Sequence, residues 1–209
     1  MFKKMVILVL LLIIFIILKT KEMFKSPCSD NITDKEYLQH MIPHHQVAVD
    51  ISLILQKKTR WPKMQEILRK LIWTQRYEIS LMKQLLKQSI QKITSYNKVK
   101  KLYMPVKSDF IKPNKVGLTK TYCDPHFFDP EKHMEHIKKM NIDNKMYIHH
   151  MIPHHQVAVD MSKKLLKNTK NDFMINFAYR IIKTQQEEIV LLNDLMSDKN
   201  YKFESNKIL

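Results

Sequence analysis

Glycine is almost missing from this sequence: Gly117 is the only one in 209 residues. That leaves no glycine-rich loop to cradle a phosphate and no Gly-x-Ser-x-Gly turn to present a nucleophile. It also weighs against an all-β chain, whose tight turns draw heavily on glycine. There are two cysteines, Cys28 and Cys123. Two are too few for a disulfide framework, and the sequence leaves open whether they pair. Arginine occurs four times against 32 lysines, and the formal charge is +16. The lysines are spread along the whole chain and no base-reading motif accompanies them, so the charge reads as a solvated surface with no specific nucleic-acid partner. Also absent are His-Glu-x-x-His, the zinc-protease pattern, and any Glu-x-x-His, which a di-iron bundle needs. Lys, Ile, Leu and Met are abundant, and they favour helices, so an all-α protein is expected.

Residues Met5 to Leu18 form an uninterrupted apolar run, flanked by Lys3 and Lys4 and by Lys19, Lys21 and Lys25. Fourteen helical residues rise about 21 Å, short of the roughly 30 Å hydrocarbon core of a bilayer. That length suits a signal peptide, yet no small-x-small cleavage site follows. An uncleaved anchor, lengthened by Met23, Phe24 and snorkelling lysines, is the preferred expectation, and secretion after cleavage is the alternative. The short amino-terminal tail would stay in the cytosol and the remaining chain would lie outside it, a single-pass arrangement with the membrane as a partner.

The dominant feature is an internal repeat. The stretch from Tyr37 to Asp50 recurs from Tyr147 to Asp160 with twelve of fourteen positions identical, and an offset of 110 also superposes Gln75 on Gln185 and Glu78 on Glu188. Residues 1–25 are read as the membrane segment, 30–92 as the first helical hairpin, 93–140 as a linker, 141–199 as the second hairpin and 200–209 as a tail. Thr33 to Glu36 is a capping box, and Asp143 fills the matching place. The motif helices should start there and end near Lys57 and Lys167. Partner helices should run from Pro62 to about Gln91 and from Asp172 to about Met196, with a short helix from Asp129-Pro130 to about Met140. Two such hairpins make a four-helix bundle.

At 100° per residue, Tyr37, His40, Met41, His44, Ala48, Ile51 and Leu55 share one stripe, with His45 at its edge. The second copy aligns Tyr147, His150, Met151, His154, Ala158, Met161 and Leu165, with His155 at the edge and His149 replacing Gln39. Pro43 and Pro153 lie inside these helices, where each removes an amide donor and should bend the rod. On the partner helices, Gln75 and Glu78, and likewise Gln185 and Glu188, point inward among apolar neighbours and need polar partners. Imidazole and thioether are soft or borderline ligands suited to copper, with Cu(I) favoured and Zn or Ag as alternatives, while calcium and magnesium would want oxygen cages. The competing reading is a structural or interaction bundle whose His–Glu and His–Gln pairs are only polar core contacts. A second patch in the linker, Cys123, His126, His133 and His136, supplies further candidate ligands, as does His149.

His-Met-Ile-Pro-His-His-Gln with a downstream Gln-x-x-Glu-Ile resembles domain-of-unknown-function family 305. Its members are exported or membrane-anchored helical bundles with a ferritin-like arrangement, some linked to copper binding and copper tolerance. The resemblance implies that His40, Met41, His44 and His45, with His150, Met151, His154 and His155, are copper ligands. Gln75, Glu78, Gln185 and Glu188 would then be their supports. With the doubled soft-ligand cluster, the expectation is a protein outside the cytoplasm that sequesters or passes on Cu(I), or confers copper tolerance, without catalysis.

Overall fold

In a computed structural model the structure describes residues 30–87, 125–139 and 141–197, with Pro125 and His126 in backbone only. Among these residues the protein is all-α. Helix α1 spans Asp34–Lys58, α2 Pro62–Lys87, α3 Pro130–Lys138, α4 Asn144–Asn168 and α5 Asp172–Ser197, with a 3-10 turn at Pro125–Phe128 before α3. The apolar leader, Cys28 and Cys123 lie outside the described residues, as do positions 88–92 and Met140, where the sequence extended α2 and the short helix. No described helix is long and apolar enough to cross a membrane.

Local chemistry sets the helix limits. Glu36 Oε2 accepts from the Thr33 amide at 2.9 Å while Thr33 Oγ1 accepts from the Glu36 amide, so two otherwise orphaned donors at the α1 terminus are satisfied. Asp143 Oδ1 accepts from the Met146 amide at 2.7 Å at the start of α4. Both hairpins turn identically. The amides of Thr59 and Thr169 close on Leu55 and Leu165 oxygens, and each threonine hydroxyl accepts from the amide two residues on. Helices α1 and α4 run unbroken through Pro43 and Pro153.

The two hairpins meet through their motif helices, which cross antiparallel. Tyr37 Oη lies 2.7 Å from Ser162 Oγ, and Tyr147 Oη lies 2.8 Å from Ser52 Oγ. These contacts exchange under the 110-residue offset, so the halves are related by a pseudo-twofold axis between α1 and α4. Ser162 donates to the Ala158 carbonyl, so it accepts from Tyr37.

Two apolar clusters lie at opposite ends of the bundle. One joins Tyr37, Leu38 and Met41 to Met82, Leu85, Met161, Leu165 and Phe177. The other joins Ile51, Leu55, Met64 and Leu68 to Tyr147, Ile148, Met151 and Leu192. Along each long helix the buried histidines, glutamines and glutamates fall between the main run of one cluster and that of the other. His44, His45, Gln75, Glu78, His154, His155, Gln185 and Glu188 are all buried there. The bundle therefore has an apolar core cut in two by a polar layer.

Candidate metal centre

At the middle of that layer the rings of His44 and His154 stack, with centroids 3.7 Å apart and planes 11° apart. They come from equivalent positions of the two repeats, so the pseudo-twofold axis runs beside them. His44 Nδ1 donates to the Phe127 carbonyl at 3.1 Å, and His154 Nε2 donates to the His44 carbonyl at 3.1 Å. A carbonyl can only accept, so these bonds place the proton on Nδ1 of His44 and on Nε2 of His154. The remaining nitrogens, His44 Nε2 and His154 Nδ1, are buried with no hydrogen-bond partner among the described residues.

The flanking histidines repeat this division of labour. His45 Nε2 donates to Glu78 Oε2 at 2.9 Å, leaving Nδ1 without a partner. His155 Nε2 lies 2.9 Å from Glu188 Oε2 but off the hydrogen-bond line, and its Nδ1 is likewise unpartnered. The two pairs differ in a further respect. Arg180 Nε approaches Glu78 Oε1 at 3.5 Å, and Glu188 has no such cation among the described residues. Burial, then the neighbouring imidazoles His45 and His155, push His44 well below the usual histidine range. Burial, then His44 and His155, do the same to His154. Both are neutral imidazoles at physiological pH, the form that offers a lone pair to a metal.

Several expectations are corrected by these positions. His45 and His155, placed at the stripe edge by a 100° step, are fully buried, because α2 and α5 close over that side of their partners. His40 and His150 sit on the stripe but are only half-buried at its rim. His149 is exposed, and so is His136, so neither faces the layer. His133 does reach it: it is buried, with its ring 4.8 Å from that of His150. Cys123 and the His126 side chain lie outside the described residues. Met41 and Met151 are buried in opposite apolar clusters, one at each side of the layer. Gln75 and Gln185 are buried in the layer as expected. The recurring Gln-Val-Ala-Val-Asp tail of the motif has a local explanation, since Gln46 and Gln156 donate to Asp50 and Asp160 one turn later.

Sequence reasoning missed Phe127 and Phe128. The Phe127 ring meets His150 and His154 edge-on at 5.2 and 5.0 Å, and the Phe128 ring centroid is 5.1 Å from that of His44. It also missed Ser52 and Ser162, although a serine repeated at the 110 offset beside an apolar stripe was a usable signal.

Among the described residues no three His, Cys, Asp or Glu side chains converge tightly enough to hold an ion. The stacked rings give the reason. A ring lone pair lies in the ring plane, so two face-to-face imidazoles cannot both aim at an ion between them. The donor chemistry nonetheless fits a soft ion: imidazoles set against carboxylates or carbonyls on one nitrogen and open on the other, with the Met41 and Met151 thioethers on the same helices.

The family model "Domain of unknown function (DUF305)" matches residues 34–196, most of the chain and both repeats. The chain belongs to the DUF305 family. An uncharacterised protein of Acanthamoeba polyphaga mimivirus is 40% identical over 58 residues, which is 28% of this chain and 38% of that relative. The match therefore spans well under half of the relative's length. Among solved structures, this DUF305 chain is similar to CopM in its Cu(II)-bound form, at 25% identity and a TM-score of 0.56 over 83% of this chain and 98% of the other. The silver-bound form of CopM obtained by co-crystallisation gives 26% identity and a TM-score of 0.54 over 79% of this chain and 96% of the other. The apo form gives 25% and 0.54, over 79% and 97%.

Proposed function

We propose that this DUF305 protein binds a soft metal ion, copper in the first place, in the histidine layer between its two hairpins. It then sequesters Cu(I) or passes it on outside the cytoplasm, without catalysing a reaction. One observation carries the reading: each of the four buried motif histidines commits one ring nitrogen to an oxygen acceptor, or sets it against one, and leaves the other without a partner in a sealed site. A purely structural histidine gains by satisfying both nitrogens; a ligand histidine keeps one for the ion. The likeness to CopM, solved with Cu(II) and with silver, supports the same class of ion. Ligands come from His44, His45, His154 and His155, with Met41, Met151, His40 and His150 beside them. Gln75, Glu78, Gln185 and Glu188 orient the imidazoles. For both His44 and His154 to share one ion their stacked rings would have to turn so that their open, in-plane lone pairs converge. The basic-flanked apolar run at residues 5–18 holds the bundle at the outer face of a membrane.

Titration of the purified chain with Cu(I) against a chelator tests this. The parent should withdraw the ion from the chelator, and the double variant His44→Ala, His154→Ala should do so at least about tenfold less well. Equal competition by both proteins would end the idea. The alternative, a structural bundle with a polar core layer, is favoured by the ring stack and by the lack of a converged ligand set among the described residues. It expects no change in melting temperature with copper, whereas a ligand of the native state present at a hundred times its Kd adds about 2.7 kcal/mol of stability.

A further inference from the structure

The four arginines are not distributed like the lysines. Three of them, Arg69, Arg76 and Arg180, gather around an exposed aromatic pair on α2. Trp73 is 73% and Tyr77 48% exposed, and their rings lie parallel, with centroids 6.4 Å apart. Arg180 reaches across from α5 and sets its guanidinium 5.0 Å from the Tyr77 ring centroid. Arg69, Arg76, Trp73 and Tyr77, with Gln56 of α1, line an open groove of about 460 Å³.

The second repeat is an internal control. At the 110-residue offset Arg69, Trp73, Arg76 and Tyr77 become Tyr179, Lys183, Gln186 and Glu187, and Arg180 corresponds to Lys70. On that face Lys183 and Glu187 approach to 3.9 Å in a one-turn ion pair, ordinary solvated surface. The bundle needs no arginine–aromatic patch at this position to fold, because its twin has none.

We infer that this groove is a docking face for an acidic segment of a partner protein, with carboxylates on the guanidinium groups and apolar side chains on Trp73 and Tyr77. Guanidinium holds a planar carboxylate by two parallel bonds, which an ammonium cannot do. Exposed Trp, Tyr and Arg are the residue types that dominate binding energy at protein interfaces. A membrane surface asks only for point charge, which the 32 lysines scattered along the sequence supply, so arginine concentrated in one groove marks a more directional recognition. Charge also argues against a second copy of this chain, since each copy carries +16. The face lies directly outside the buried pair of the polar layer, because Arg180 touches both Tyr77 and Glu78. The inference stands on the apo protein and holds whether or not the histidines take copper.

A fluorescent peptide alternating glutamate with leucine, titrated with the full chain without metal and followed by anisotropy, is the test. We expect saturable binding that falls more than about tenfold in Trp73→Ala, Arg76→Ala and is unchanged in Lys183→Ala on the equivalent face. Arg76→Lys, which keeps the charge and loses the fork, should also bind more weakly. These positions are exposed, so a matching circular-dichroism melt confirms that each variant is folded. Absence of binding by the parent, equal binding by the double variant or by Arg76→Lys, or a shift of the same variant pattern onto phosphatidylserine vesicles in place of the peptide would each overturn the assignment.

Discussion

A buried imidazole must satisfy or spend two nitrogens, and the residues that accept from it decide what it is for. In His45 and His154 the accepting oxygen is supplied by another helix, and in His44 by the turn at Phe127, 83 residues away. None of those acceptors is visible in the sequence around the histidines. Glu78 and Glu188 were legible as inward carboxylates from the helical period alone. Their inequality was not, because the Arg180 contact depends on how α5 packs against α2. Removing Glu78 leaves His45 Nε2 without its acceptor and Arg180 without its carboxylate, so Glu78→Ala should cost about 1–3 kcal/mol in urea denaturation of the apo protein. Glu188→Ala, which strands no arginine and breaks no aligned hydrogen bond, should cost less. The depressed His44 and His154 set a pH dependence. Their unfolded-state value is near histidine's ordinary 6.5 and their folded values lie below it, so the unfolded chain binds more protons as the solution is acidified. The stability is fully present above about pH 6.5 and drains as pH falls toward the folded values. Urea midpoints of the apo protein at pH 7.5 and 5.5 should differ in that sense, and an unchanged midpoint would contradict the burial of neutral rings.

At the scale of elements the sequence was most informative, since helix boundaries are local chemistry. The Thr33–Glu36 box, the prolines at the starts of α2 and α3, and Asp143 all sit where they were expected. Thr33→Ala removes the acceptor for the Glu36 amide and should cost about 1 kcal/mol, measured as a lowered thermal midpoint. Pro43 and Pro153 were expected inside helices that continue past them, and both helices do continue, with the turn that has lost its amide donor lying between well-packed flanks. Restoring that donor in Pro43→Ala should raise the apo melting temperature, and a fall would show that the ring itself is needed for packing. The edge placement of His45 and His155 failed because a helical wheel assigns a single buried stripe, whereas each motif helix is covered by its hairpin partner on one side and by the other motif helix on the next.

For the whole molecule, the repeat revealed two hairpins but not how they face each other. That is fixed by the crossing of α1 and α4, which Tyr37–Ser162 and Tyr147–Ser52 record. Because those contacts interchange, two copies of the first hairpin can make both, with Tyr37 of each reaching Ser52 of the other. A fragment of residues 30–92 is therefore expected to form a symmetric dimer in sedimentation equilibrium. Tyr37→Phe should weaken it, each lost bond contributing about 1 kcal/mol. A stable folded monomer would show that α1 does not need α4 to cover it.

Covalent fusion of the halves has a further effect on what the centre can become. In a pair of identical chains, any change to one glutamate or arginine appears twice, and the two sides of the axis stay alike. Joined end to end, they are free to differ, and here one side sets a guanidinium against its buried carboxylate while, among the described residues, its counterpart does not. Under the proposed function, copper approaching from the Glu78 side would therefore meet a different electrostatic setting from copper approaching from the Glu188 side.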